Sequence, residues 1–207
     1  MVTAIFRVDW SAVSMPLILP AVEYANWRAI ARSTGGPTHR AMDPDQPDTT
    51  YILPDIISIA VGAEARLHAS LGSFELPGAR LYGVNVAGRS ADDPNMCFLA
   101  QHPDVYELLD SPSSALARMF DAAAIVTTGW AAPLSADGSV DGAPSAHALR
   151  RRVRLVVVVA DNGVASVLRF ADDPDEIVTD PGSATGSLAE AINRFWFDPP
   201  VNLSATP

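Results

Sequence analysis

A chain of 207 residues, 48% hydrophobic and 18% charged, is long enough to bury one substantial core and too short to expect three. Its 14 basic residues are all arginine, which excludes a Walker-type phosphate loop, a Schiff-base lysine and a Ser-x-x-Lys mechanism, barring the α-amino terminus. The formal charge of −10 argues against a nucleic-acid binder acting through its overall field, and the single cysteine, Cys97, rules out an internal disulfide or thiolate zinc cluster, pointing to a reducing, cytoplasmic setting.

Near the start, Arg7 and Asp9 precede an apolar stretch broken by Pro16 and Pro20, so neither a signal peptide nor a membrane span is expected there. Tyr24, Trp27, Ile30 and Ala31 follow Pro20 at helical spacing. Residues 33–50 are rich in Gly, Pro and Asp and exceed the usual connection length, so this loop is either functional or mobile. Within it Asp43, Asp45 and Asp48, with His39 nearby, offer oxygen ligands to a hard cation. Pro44 and Pro47 interrupt that line and no glycine supplies a calcium loop's sharp turn, so a solvated turn is expected and no metal or cofactor.

Pro54 and Asp55 open a helix reaching about Leu71, with Gly72 after it. Glu64 and His68 lie four apart on it and share a face with Ile57 and Val61. They are a candidate general-base pair, weighed against a helix-end histidine paired with a carboxylate for local stability. After the Pro77-Gly78 turn, Arg80–Val86 alternates like a strand, and Met96–Leu99 is a weaker one. Pro103 and Pro112 sit as first-turn prolines of helices at 103–110 and 112–120, and Ala123–Thr128 reads as a buried strand.

Thr127, Thr128 and Trp130 follow that strand, and after a polar insertion at 135–145 come His147, Arg150 and Arg151. If the strands at 123 and 153 are neighbours, these groups converge on a sheet edge and can form a pocket for an anionic or aromatic ligand. The plainer reading is that Trp130 caps the core and His147 belongs to a loop. The cluster Arg150–Arg154 suits phosphate or an acidic partner, but in so acidic a chain pairing with its own carboxylates is expected.

Leu155–Val159 and Val164–Phe170 flank Asp161-Asn162-Gly163, which predicts a hairpin with Asn162 and Gly163 in a type I′ turn. That register opposes Val157 to Leu168 and Leu155 to Phe170, and leaves Arg154, Val156 and Arg169 on a partly wet face. The acidic run Asp172–Glu176 is a polar turn. Ser187-Leu188-Ala189-Glu190 is a capping box that starts a helix carrying Leu188, Ala191, Ile192 and Phe195 on one stripe.

The fold class that follows is α+β: an antiparallel or mixed sheet including a hairpin at 153–170, packed by helices including a C-terminal helix at 187–197. A single domain, 1–207, is expected, divisible into an N-terminal helical part at 1–75 and a sheet-plus-helix part at 76–198, with 199–207 as a tail. The stretch 122–196, with Thr127-Thr128-Gly129-Trp130 and Arg150-Arg151-Arg152-Val153-Arg154, resembles uncharacterised proteins of high-GC actinobacteria or their phages. The resemblance rests on no motif of a characterised family and implies no activity or residue role.

The functional expectation is a non-catalytic cytosolic accessory or protein-interaction domain acting through a sheet edge or by self-association, without nucleic acid or membrane as partner. The alternative is a small hydrolase or metal-assisted enzyme with a pocket near Thr128, Trp130 and His147, or built on Glu64 and His68; a small-molecule ligand fits either reading.

Overall fold

The computed structural model describes residues 6–9, 53–133, 143–180 and 187–197. Their seven strands are β1 (Phe6–Asp9), β2 (Ala79–Asn85), β3 (Asn95–His102), β4 (Ala122–Pro133), β5 (Arg151–Ala160), β6 (Gly163–Phe170) and β7 (Ile177–Asp180). They form one sheet in the order β3-β2-β4-β5-β6-β7, and every pairing is antiparallel. β4 is long enough to pair twice along one edge, with β2 over Ala122–Val126 and with β1 over Trp130–Pro133. β1 lies in a stretch expected to be helical. The candidate helix around Tyr24–Ala31, the loop 33–50 with Asp43, Asp45 and Asp48, and most of the 135–145 insertion lie outside the described residues.

Helices cover both faces of the sheet. α1 (Ile56–Ser70) lies on one face, where Ile59, Ala60, Ala63 and Leu67 pack on Val84, Val126, Val156, Val158 and Val167. The other face carries α2 (Val105–Asp110), the 3₁₀ turn Pro112–Met119 and α3 (Ser187–Phe197), packed on Ile125, Leu155, Val157, Leu168 and Phe170. Burial on both sides explains why β5 is buried without a break from Val153 to Ala160. Each buried Ile, Leu, Val or Phe of these layers contributes about 1.5–3 kcal/mol relative to exposure. The face holding Arg154, Val156 and Arg169 is therefore dry rather than partly wet, because α1 closes it.

Local chemistry sets the element ends. Asp55 caps α1 by accepting from the Ser58 amide at 3.1 Å. Asp104 caps α2 through the amides of Tyr106 and Glu107, so the helix begins at Val105 and Pro103 precedes the cap instead of occupying the first turn. The segment after Pro112 is a 3₁₀ helix rather than an α-helix.

The hairpin forms with a register displaced by two residues from the expected one. Ala160 pairs with Gly163, leaving Asp161 and Asn162 as the loop, so Leu155 opposes Leu168 and Val153 opposes Phe170. Asp161 and Asn162 keep negative φ, and Gly163 takes the positive value, +138°, inside the ladder. Because side chains alternate with period two, this shift exchanges partners and leaves each residue on its face. Leu155, Val157, Leu168 and Phe170 still share one core.

α1 approaches the β2–β3 turn so closely that a Cβ at Gly62 would overlap the Ala91 carbonyl oxygen and lie 2.9 Å from Asp92 Cα. Gly→Ala inside an exposed helix ordinarily gains about 1 kcal/mol. Here overpacking against rigid backbone, about 1–3 kcal/mol before that gain is offset, is the larger effect. Gly62→Ala is therefore expected to lower the urea midpoint, and an unchanged or raised midpoint would refute this packing.

Candidate functional site

The polar groups singled out by sequence gather where the far ends of β4, β5 and β6 pass under α1. On these strands the face toward α1 carries Thr128 and Trp130 of β4, Arg152 and Arg154 of β5, and Arg169 of β6. Thr128 opposes Arg154, Trp130 opposes Arg152, and Arg154 opposes Arg169. Like charges placed opposite one another on neighbouring strands repel. Glu64, 1% exposed on the buried side of α1, stands over the two arginines and neutralises one of their two charges.

Its carboxylate is fully engaged. Oε1 accepts from Arg169 Nε at 2.7 Å and from Arg154 Nη2 at 3.0 Å, and Oε2 accepts from Arg169 Nη2. Burial pushes the Glu64 carboxyl up, but hydrogen bonds from Arg169 and then Arg154, with their charges, outweigh it and hold the group below its ordinary range. The hydrogen bond to Glu64 raises Arg169 in turn. Arg154 Nη2 also lies 2.9 Å from His68 Nδ1. A guanidinium has only donors, so Nδ1 accepts and the imidazole proton sits on Nε2. Arg154 Nε has no hydrogen-bond partner among the described residues, and its guanidinium lies 5.3 Å from the centre of the Phe74 ring.

Glu64 and His68 thus do not form a base pair with each other; each is bound to Arg154. Further out, Arg152 donates from Nε to Glu75 Oε1 at 2.8 Å, pairs again through Nη2 with Oε2, and reaches Thr128 Oγ1 at 3.3 Å. The hydrogen bond from Arg152 holds the Glu75 carboxyl below its usual range. Arg150 and Arg152 lie 5.1 and 5.3 Å from the centre of the Trp130 ring. Of the arginine cluster, Arg151 points to the opposite face. It stacks on Phe170 and pairs with Asp172 and Glu176, each at 2.8 Å.

The proposed convergence of Thr127, Thr128, Trp130, His147 and Arg151 is therefore partial. Thr128 and Trp130 meet Arg152, whereas Thr127 opposes Leu155 on the other face and Arg151 serves the β6–β7 turn. His147 ends the short 3₁₀ turn Pro144–Ala146 and accepts the Leu149 amide at 3.0 Å. Glu75 and Phe74, which sequence did not single out, complete the cluster together with Arg169, which the expected hairpin already placed on the face of Arg154.

At the opposite end of the sheet, a cleft of about 440 Å³ is lined by Leu53, Arg118, Phe120, Asp121, Asp161 and Trp196. Its acids are used by the fold: Asp121 accepts the amides of Val86 and Ala87, and Asp161 accepts the Trp196 indole at 3.1 Å. Among the described residues no group of three or more His, Cys, Asp and Glu is placed to hold a metal, and no helix is long and apolar enough to cross a membrane. No protein family, curated protein or solved structure matches the chain.

Removing the Glu64 charge leaves two buried guanidinium groups uncompensated, so Glu64→Gln is expected to lose about 3–5 kcal/mol at neutral pH. The folded-state pKa of Glu64 is depressed, so its contribution is complete above the ordinary value of 4.5 and disappears as pH falls through the lower folded value. Stability of the native chain measured from neutral pH into acid should therefore fall more steeply than that of Glu64→Gln. Parallel profiles would contradict the assignment.

Proposed function

We propose that the protein is a non-catalytic interaction module whose working surface is the outer edge of β3. The observation that carries this reading is the contrast between the two ends of the sheet. β7 is four residues long and follows the acidic turn Asp172–Glu176, features that blunt an edge. β3 is eight residues long and contains neither proline nor a formal charge, and Phe98 on it is 41% exposed. Among the described residues, β2 is its only strand partner.

An edge of this kind offers a row of backbone donors and acceptors to an incoming extended segment, with side-chain contacts selecting the partner. A bulge between the Leu81–Ala100 and Tyr82–Phe98 pairs makes Leu99 the extra residue, so the uninterrupted docking stretch is Asn95–Phe98. By contrast, the polar groups beneath α1 are bound to one another, which favours a structural role for them. A protein partner fits the charge of −10 better than a nucleic acid does. The cytosol suits a chain whose lone thiol, on Cys97, is half-buried and pushed up by burial.

The test is to titrate the full chain against labelled, uncharged peptides of alternating Thr and Val, Ile or Tyr, followed by fluorescence anisotropy. Saturable binding that is lost in Phe98→Lys is expected. Failure of every extended peptide to bind, or binding indifferent to Phe98→Lys, would overturn the proposal.

A further inference from the structure

We infer that the strand received by this edge is β3 of a second copy, giving a two-fold dimer with one continuous sheet; this rests on β3 being the working edge. A two-fold axis relating antiparallel neighbours within one sheet must place some residue opposite its own copy. Within Asn95–Phe98 the candidates for that central position are restricted. Centring on Asn95 would set Met96 against Pro94, and centring on Met96 would set Phe98 against it, and Pro94 has no N–H to give. Centring on Phe98 would oppose Met96 to Ala100, across the Leu99 bulge. Centring on Cys97 opposes Met96 to Phe98 twice and keeps those pairs within the regular stretch.

The side chains suit this register. Phe98 already packs edge to face on Tyr82, with ring centres 5.6 Å apart. Met96 of the second copy would extend that contact, a thioether against an aromatic ring, and the symmetric pair repeats it. Charge also favours it. A chain of formal charge −10 repels its copies over most of its surface, whereas Asn95–Gln101 carries no formal charge. The same register brings the exposed turn Asp92–Asp93 of one copy beside the end of β3 in the other, where His102 lies and Arg80 is tied to Gln101 at 3.0 Å. The ends add no net charge to the contact, because Arg66 of α1 and Arg89 offset Asp92 and Asp93, and Asp104 offsets Arg80 at the far end.

The geometry makes a direct demand: Cys97 faces Cys97 of the second copy, with Cα atoms about 4.5–5.5 Å apart. As it is the chain's single cysteine, any thiol-linked dimer reports on β3. Sedimentation of the reduced full chain from roughly 1 to 100 μM spans the affinities expected of a short, weak interface. A monomer–dimer equilibrium is expected, with the dimer trapped by mild oxidation or a short bismaleimide.

Phe98→Lys sets a charge beside each Met96 and should weaken association roughly tenfold or more. The crosslink in the native chain tests the geometry even if that variant folds poorly. A dimer that Cys97 cannot link overturns the inference. So does a chain that is monomeric throughout. If that monomer still binds the alternating peptides through β3, self-pairing alone fails; if it binds none, the interaction reading fails with it.

Discussion

Arg154 and Arg169 stand directly opposite each other on neighbouring strands, both beneath a helix, and neither can be held there without the Glu64 carboxylate. This constraint organises one face of the sheet. The apolar layers supply most of the free energy of folding, since many buried Val, Ile and Leu side chains each contribute about 1.5–3 kcal/mol. The Arg154–Glu64–Arg169 triad adds little net stability, because desolvating three charged groups offsets most of their attraction. What it supplies is position. Valines can slide along a helix with small penalty, whereas a carboxylate sharing three hydrogen-bond donors fixes both the rotation of α1 and its height over β5 and β6.

The same constraint bears on function. His68, Arg152, Thr128 and Trp130 extend the triad outward, and each is tied to a neighbour within the cluster. As expected in so acidic a chain, the arginines pair with its own carboxylates, and in doing so they fasten α1 and the segment before β2 to the sheet. With the broad faces covered by helices, β3 is the long edge on which the interaction proposal rests. Its lack of formal charge is notable in a protein that is otherwise strongly acidic.

Much of the fold was legible because its strongest elements obey local rules. The presence of the β5–β6 hairpin (though not its turn residues), the Asp55 start of α1 and the stripe of α3 follow from strand patterning, capping and periodicity. The site was less legible because its key contact is long-range in sequence and depends on register. Under the expected turn, Arg154 and Arg169 were not opposed, so nothing demanded a buried carboxylate. Displacing the ladder by two residues pairs them and makes Glu64 intelligible. The covering of the Arg154 face was equally hidden, since valines alternating with arginines fit a half-wet strand as readily as a helix-covered one. Phe74 and Glu75 lie in an irregular connection where no periodicity marks them.

The most direct test of the central claim compares the loss of one charge with the loss of all three. Chemical denaturation of Glu64→Leu should show a large destabilisation, because two buried arginines remain unpaired. The triple variant Glu64→Leu/Arg154→Met/Arg169→Leu should recover much of it, since no buried charge is left without a partner. A triple variant less stable than Glu64→Leu, with the individual losses simply adding, would contradict the claim that these three groups act as one unit.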